Sequence, residues 1–294
     1  MRKFILGTDW WTDCDDAVAL RILARAHKAG EISLKAIGIN ACMEYSVPSL
    51  EGFLNTEKVF DIPLGIDFDA TDFGGNPPYQ KRLATHASKF ASNSDIGDAV
   101  NLYRKTLAES HERLEIIEIG YLQVIAGVLQ SQGDEISEKT GLELLKEKVS
   151  KIWVMAGKWD VPNGKENNLA RNERARKAGK IFCALCPVPV TFLGWEVGST
   201  VISGGELAEN DILHQVLCDH RSANGRSSWD PMLALLALIG DESAAGYDTV
   251  CGTASVDEVS GENSFIPNEN GMHKYVIKRY ADEYYRDKIN ELIK

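Results

Sequence analysis

Gly7-Thr8-Asp9-Trp10-Trp11-Thr12-Asp13-Cys14-Asp15-Asp16-Ala17 places four aspartates within eight residues. An apolar run, residues 3–8, precedes it and a helical pattern, residues 17–28, follows it. The stretch therefore reads as a strand end, a loop and a helix start. Four carboxylates this close repel one another, so protons or a cation must sit among them. Carboxylate oxygens select hard cations, Ca²⁺ or Mg²⁺. The positive end of the helix favours the charge on Asp15 and Asp16. Helix capping accounts for one or two of these aspartates. It does not account for four, nor for Asp9 at the end of a buried strand.

Outward from this point the same alternation repeats. Apolar runs at 3–8, 34–40, 114–120, 151–157 and 188–196 are predicted strands. Helical patterns fall between them at 17–28, 49–60, 96–110, 124–131, 141–148 and 172–180. Strand and helix in alternation predict an α/β fold, a mainly parallel open sheet flanked by helices. The run after Asp230, PMLALLALIG, reads as a buried helix. Residues 247–278 read as a small C-terminal antiparallel appendage, and 280–293 as a closing helix. In such a sheet ligands bind beyond the carboxyl ends of the strands. That singles out Asp9, Asn40, residues 120–123, Gly157 onward and Trp195-Glu196.

With 294 residues and 44% hydrophobic content the chain can bury a sizeable core, as one large domain or two small ones. The net charge of −11 excludes a basic stripe able to neutralise nucleic-acid phosphates. A weakly charged small molecule or a cation suits the balance better. The apolar run at residues 4–7 is too short for an export signal or a membrane span, so a cytoplasmic protein with reduced thiols is expected. Cys183 and Cys186 form a C-x-x-C with no second metal-binding pair, and a buried structural role is expected of them.

The opening stretch resembles the D-T-D-x-G-x-D-x-D-D-A signature of the inosine-uridine nucleoside hydrolase family. Further pieces follow in that family's order: Ile37-Gly38-Ile39-Asn40, Ile119-Gly120-Tyr121-Leu122-Gln123, Val154-Met155-Ala156-Gly157, Glu166-Asn167-Asn168 and Trp229-Asp230-Pro231-Met232. The resemblance spans roughly residues 3–240 and implies a single nucleoside-hydrolase-like domain over 1–294. It implies calcium-dependent hydrolysis of the N-glycosidic bond of a ribonucleoside or ribosyl analogue. Calcium would be held by Asp9, Asp16, the backbone carbonyl of Gln123, and Asp230. Asp9 would also be the general base toward the attacking water. Asp15, Asn40, Glu166 and Asn168 would hold ribose hydroxyls. A homo-oligomer is expected by analogy, and neither nucleic acid nor membrane as partner.

The chemistry agrees. Breaking an N-glycosidic bond builds positive charge on the sugar, which carboxylates stabilise. Vicinal hydroxyls require several fixed polar partners, and a mixture of Asp, Asn and Glu supplies them. Two features depart from the family's pattern. Trp10-Trp11 stand where it has Pro-Gly, and either stack on a base or fill space under the loop. Trp229 stands where many members carry a histidine. No acid for the leaving group is therefore assigned: the candidates are Tyr79, His220 or none. Residues 221–228 are either a lid or an ordinary connection. A family member with altered substrate, or one that binds metal and a ribosyl ligand without turnover, is the alternative expectation.

Overall fold

The computed structural model describes residues 1–11 and 13–294. Its strands are β1 (Arg2–Thr8), β2 (Ile32–Ile39), β3 (Leu64–Ile66), β4 (Gly97–Asp98), β5 (Leu114–Glu118), β6 (Val149–Met155), β7 (Val190–Leu193), β8 (Ile202–Ser203), β9 (Arg226–Ser227), β10 (Tyr247–Val256), β11 (Asn263–Pro267) and β12 (His273–Lys278). The helices are α1 (Asp15–Lys28), α2 (Ser46–Thr56), α3 (Gln80–Ala84), α4 (Ala99–Glu109), α5 (Gln123–Gln130), α6 (Gly141–Lys148), α7 (Asn167–Ala170), α8 (Glu173–Leu185), α9 (Trp195–Gly198), α10 (Ile212–Asp219), α11 (Trp229–Ile239) and α12 (Asp282–Ile293).

Ten strands form one sheet in the order β11-β10-β12-β7-β6-β5-β1-β2-β3-β4. From β12 to β4 every neighbouring pair is parallel. The chain builds outward from β1 through β2, β3 and β4, then returns to the other side of β1 with β5. The order reverses between β1 and β5, and a ligand crevice is expected at that switch point.

Residue alternation sets the two faces. On β1, Phe4 and Leu6 join an apolar cluster with α1, α2, α11 and α12, while Ile5 joins a second cluster with α4, α5, α6 and α8. Helices thus cover both faces, as a parallel sheet requires. Buried Arg21 of α1 is held between Glu57 and Asp211, each at 2.7 Å. β5 ends on Glu118, which is wholly buried; its Oε1 accepts from the Tyr103 hydroxyl at 3.2 Å, and Oε2 meets no donor among the described residues. Gly7 leaves the room for it, because a Cβ there would collide with the Glu118 carboxyl.

The expected C-terminal antiparallel strands are β10, β11 and β12, and they join the main sheet because β12 pairs parallel with β7. α8 runs five residues past the expected end at 180, to Leu185, because Phe182 and Cys183 in its last turns bury against the sheet. Cys183 and Cys186 are buried free thiols, as expected. Burial pushes them up to about 12 and about 11. Among the described residues no helix is long and apolar enough to cross a membrane.

Candidate active site

The expected residues gather where β1 gives way to α1. Trp10 takes a left-handed turn, with φ of 48°, immediately after Asp9. This bend separates the two indoles. Trp10 goes under the loop, where its Nε1 donates to Ser49 Oγ at 2.7 Å and its carbonyl accepts from Gln80 Nε2 at 2.7 Å. Trp11 lines the cavity, and its Nε1 donates to the Gly75 carbonyl at 2.8 Å. Its ring packs with Phe73 and Tyr121, whose own rings stack at 3.9 Å. Trp10 thus fills space under the loop, while Trp11 stands in the cavity wall.

The aspartates are fixed by short-range donors. Asp9 Oδ1 accepts from the Trp11 N–H at 3.0 Å. Asp16 accepts from the Thr8 hydroxyl and from the Trp10 N–H. Asp15 accepts from the Asp230 N–H at 3.1 Å, which ties the first turn of α1 to the first turn of α11. The carboxylate oxygens of Asp15, Asp16 and Asp230 lie within 4.8 Å of one another, and all three residues are buried. The metal set implied by the resemblance has Asp9 with Asp16 and Asp230, and Asp15 lies beside the last two.

Burial pushes Asp9, Asp15, Asp16 and Asp230 well above the usual carboxylate range, and their mutual repulsion adds to it. No donor among the described residues reaches the Asp230 carboxylate; its backbone N–H donates to Asp15. A divalent cation fits this donor set: several buried hard oxygens, one side open to the cavity, and a surplus of negative charge. A second grouping, Asp13, Cys14 and His220, does not fit one. Asp13 is spent on a bidentate pair with Arg226, at 2.8 and 2.5 Å.

The cavity holds about 270 Å³ and is lined by Asp9, Trp11, Asp13, Asp15, Asp16, Ile119, Met155, Glu166, Asn167, Asn168, Arg171, Trp195, Trp229 and Asp230. It opens between the ends of β1 and β5, at the switch point. Glu166 and Asn168 line the same cavity as the aspartates. Glu166 caps α7, accepting from the N–H groups of Asn168 at 2.7 Å and Gly157 at 2.9 Å. Burial nonetheless pushes it up to about 7. Trp229 and Trp195 form another wall, with ring centroids 6.4 Å apart and a hydrogen bond from Trp229 Nε1 to the Trp195 carbonyl.

Two expected residues lie beneath the cavity rather than in its lining. Asn40 is fully buried; its Oδ1 accepts from the Tyr121 N–H at 3.0 Å, and its Nδ2 has no acceptor among the described residues. Gln123 opens α5, and its side chain donates to the Asn40 carbonyl. Gly120 packs so closely here that a Cβ would lie 2.6 Å from Asn40 Oδ1 and 2.9 Å from Asp9 Cβ. Neither candidate acid lines the cavity: the Tyr79 hydroxyl donates to the Asp13 carbonyl at 2.6 Å, and His220 sits 4.0 Å from Asp13. Asn167, Arg171, Ile119 and Met155 join the lining without having been expected as site residues. Arg171 had a signal, since it lies one helical turn past Asn167 and Asn168.

No family model matches the sequence. No curated protein matches it either. Among solved structures, an inosine-uridine preferring nucleoside hydrolase from Bacillus anthracis superposes with a TM-score of 0.69 at 12% identity, covering 100% of this chain and 99% of that one. A purine-preferring ribonucleoside hydrolase from Gardnerella vaginalis gives 0.72 at 16%, covering 99% of each. The type III effector protein XopQ, solved in complex with adenosine diphosphate ribose, gives 0.67 at 15%, covering 99% and 93%. The chain has the nucleoside-hydrolase fold, as the opening aspartate stretch led one to expect.

Proposed function

We propose that residues 1–294 act as one unit that hydrolyses the N-glycosidic bond of a ribonucleoside or ribosyl analogue, with Ca²⁺ as the resident cation. The observation that carries this reading is the convergence of Asp9, Asp15, Asp16 and Asp230 in one cavity that Glu166 and Asn168 also line. Asp16, Asp230 and the Gln123 carbonyl are the proposed calcium ligands with Asp9, and Asp15 adds a carboxylate to that set. A bound divalent cation there supplies Lewis acidity and a template for water and diol. Asp9 takes the proton of the attacking water. Asp15, Asn40, Glu166 and Asn168 orient the sugar. The carboxylates stabilise positive charge as the bond to the base breaks and its electron pair leaves with the base nitrogen. Trp11 and Trp229 offer flat surfaces for that base.

A second reading, ribosyl binding without turnover, is favoured by one observation. No histidine is among the residues lining the cavity, so no imidazole is placed to protonate a leaving base. The structural neighbour XopQ, solved with adenosine diphosphate ribose, supports ribosyl recognition under either reading. Ribose release from a nucleoside panel, with and without chelator and with Asp9→Ala, decides between them. Release that is sensitive to the chelator and lost in Asp9→Ala supports hydrolysis. Calcium binding with no release from any nucleoside removes it and leaves the binding reading.

A further inference from the structure

The cavity that binds by carboxylates also carries a cation without a partner. The chain has 43 acidic and 32 basic residues, and Arg171 is the one basic side chain among the residues lining the cavity. The neighbouring cations are engaged: Arg174 with Asp72 at 3.2 Å, Arg226 with Asp13 at 2.5 Å, and Lys158 with Asp160 at 2.8 Å. Arg171 lines the cavity and enters no ion pair among the described residues. It is nevertheless held in place. One Nη donates to the Phe73 carbonyl at 2.9 Å, and the guanidinium stands over the Trp11 ring at 5.1 Å. An arginine anchored on an aromatic face, with its remaining N–H groups free, is pre-organised for a phosphate oxygen.

Its placement says which part of a ligand it meets. Resting on the proposed ribosyl site, the vicinal hydroxyls go to the carboxylate cluster, and the anomeric carbon faces Asp9. The cluster repels any anion, so a charged substituent must lie away from it. The remaining exit of a ribosyl group is its exocyclic 5′ oxygen. Arg171 closes α7, the short helix that Glu166 caps and Asn168 belongs to, and lines the cavity together with these two proposed ribosyl-binding residues. The geometry points to a ribosyl ligand esterified with phosphate at the 5′ oxygen, a nucleotide or nucleotide-like substrate, with Arg171 as the residue that binds the phosphate. Trp11 and the Phe73 carbonyl act as its supports.

Calorimetric titration of the full chain with calcium tests this, using ribose 5-phosphate, ribose and inorganic phosphate as probes. Ribose 5-phosphate should bind about 10- to 100-fold tighter than ribose, the range for a charged hydrogen-bonded contact. Arg171→Ala should bring that ratio close to one, and Arg171→Lys should restore part of it. Matching melting curves for the variants separate loss of contact from loss of fold. Equal affinity for ribose and ribose 5-phosphate overturns the assignment while leaving the ribosyl reading in place. Inorganic phosphate binding as tightly as ribose 5-phosphate also overturns it, by showing an anion site independent of the sugar. If neither sugar binds, the ribosyl reading falls and this inference with it.

Discussion

Glu118→Gln should flatten the dependence of stability on pH. Glu118 lies at the end of β5, wholly buried, with one oxygen bonded to the Tyr103 hydroxyl and the other without a donor among the described residues. Burial pushes its carboxyl from an ordinary 4.5 up to about 8. The folded chain therefore keeps a proton that the unfolded chain loses, and stability falls as pH rises between those values. At about 1.4 kcal/mol per unit, the loss between about pH 5 and about pH 7.5 comes to about 3 kcal/mol. The glutamine has the same shape and no titration, so that loss should vanish from its curve. Its amide can cost about 1–3 kcal/mol if it leaves an N–H unpaired, but that cost is the same at every pH. Urea unfolding of both chains across this range gives the difference in slope, to which the aspartate cluster contributes equally in both. Parallel curves for the two chains would refute the buried, protonated state of Glu118.

Other consequences follow from the site. Calcium at a hundredfold excess over its dissociation constant should stabilise the chain by about 2.7 kcal/mol; a thermal melt with and without chelator reads this, and Asp230→Asn should abolish the difference. Gly120→Ala pushes a Cβ against Asn40 and Asp9, so it should destabilise by about 1–3 kcal/mol and weaken calcium binding measured by titration. Asp13→Ala leaves Arg226 without its bidentate partner. Because both side chains are partly solvated, the loss should be only about 1 kcal/mol, read from the denaturation midpoint.

The parts of this molecule that obey a period were legible in its sequence. β1, β2, β5 and β6 are long apolar runs, and α6 was bounded at Thr140 and Lys148 by its own residues. β3, β4, β8 and β9 were not, because two or three residues are too few to show alternation. The aspartate cluster was visible because four like charges in one loop demand an explanation. The separate fates of Trp10 and Trp11 were not, since they depend on a single positive φ after Asp9. Asp13 was visible as one of the four clustered aspartates, but its partner Arg226 lies 213 residues away and nothing local announces it. Arg171 was missed for a related reason. A lone arginine reads as a surface residue until its aromatic support and its lack of a carboxylate are seen together.

The strand order has a consequence for how the chain is made. β10 and β11 attach to the sheet only through β12, which is synthesised after both. Until then β7, ending at Leu193, is an open edge waiting for a strand that begins at His273. Adding the 80 residues from Gly194 to His273 (273 − 193) takes roughly 4–16 s at ordinary translation rates. For that interval the growing chain carries an unpaired apolar edge, the feature that folded proteins cover to avoid pairing with strangers. The speed of synthesis through this stretch, more than the stability of the finished sheet, therefore sets how long the nascent protein is open to aggregation.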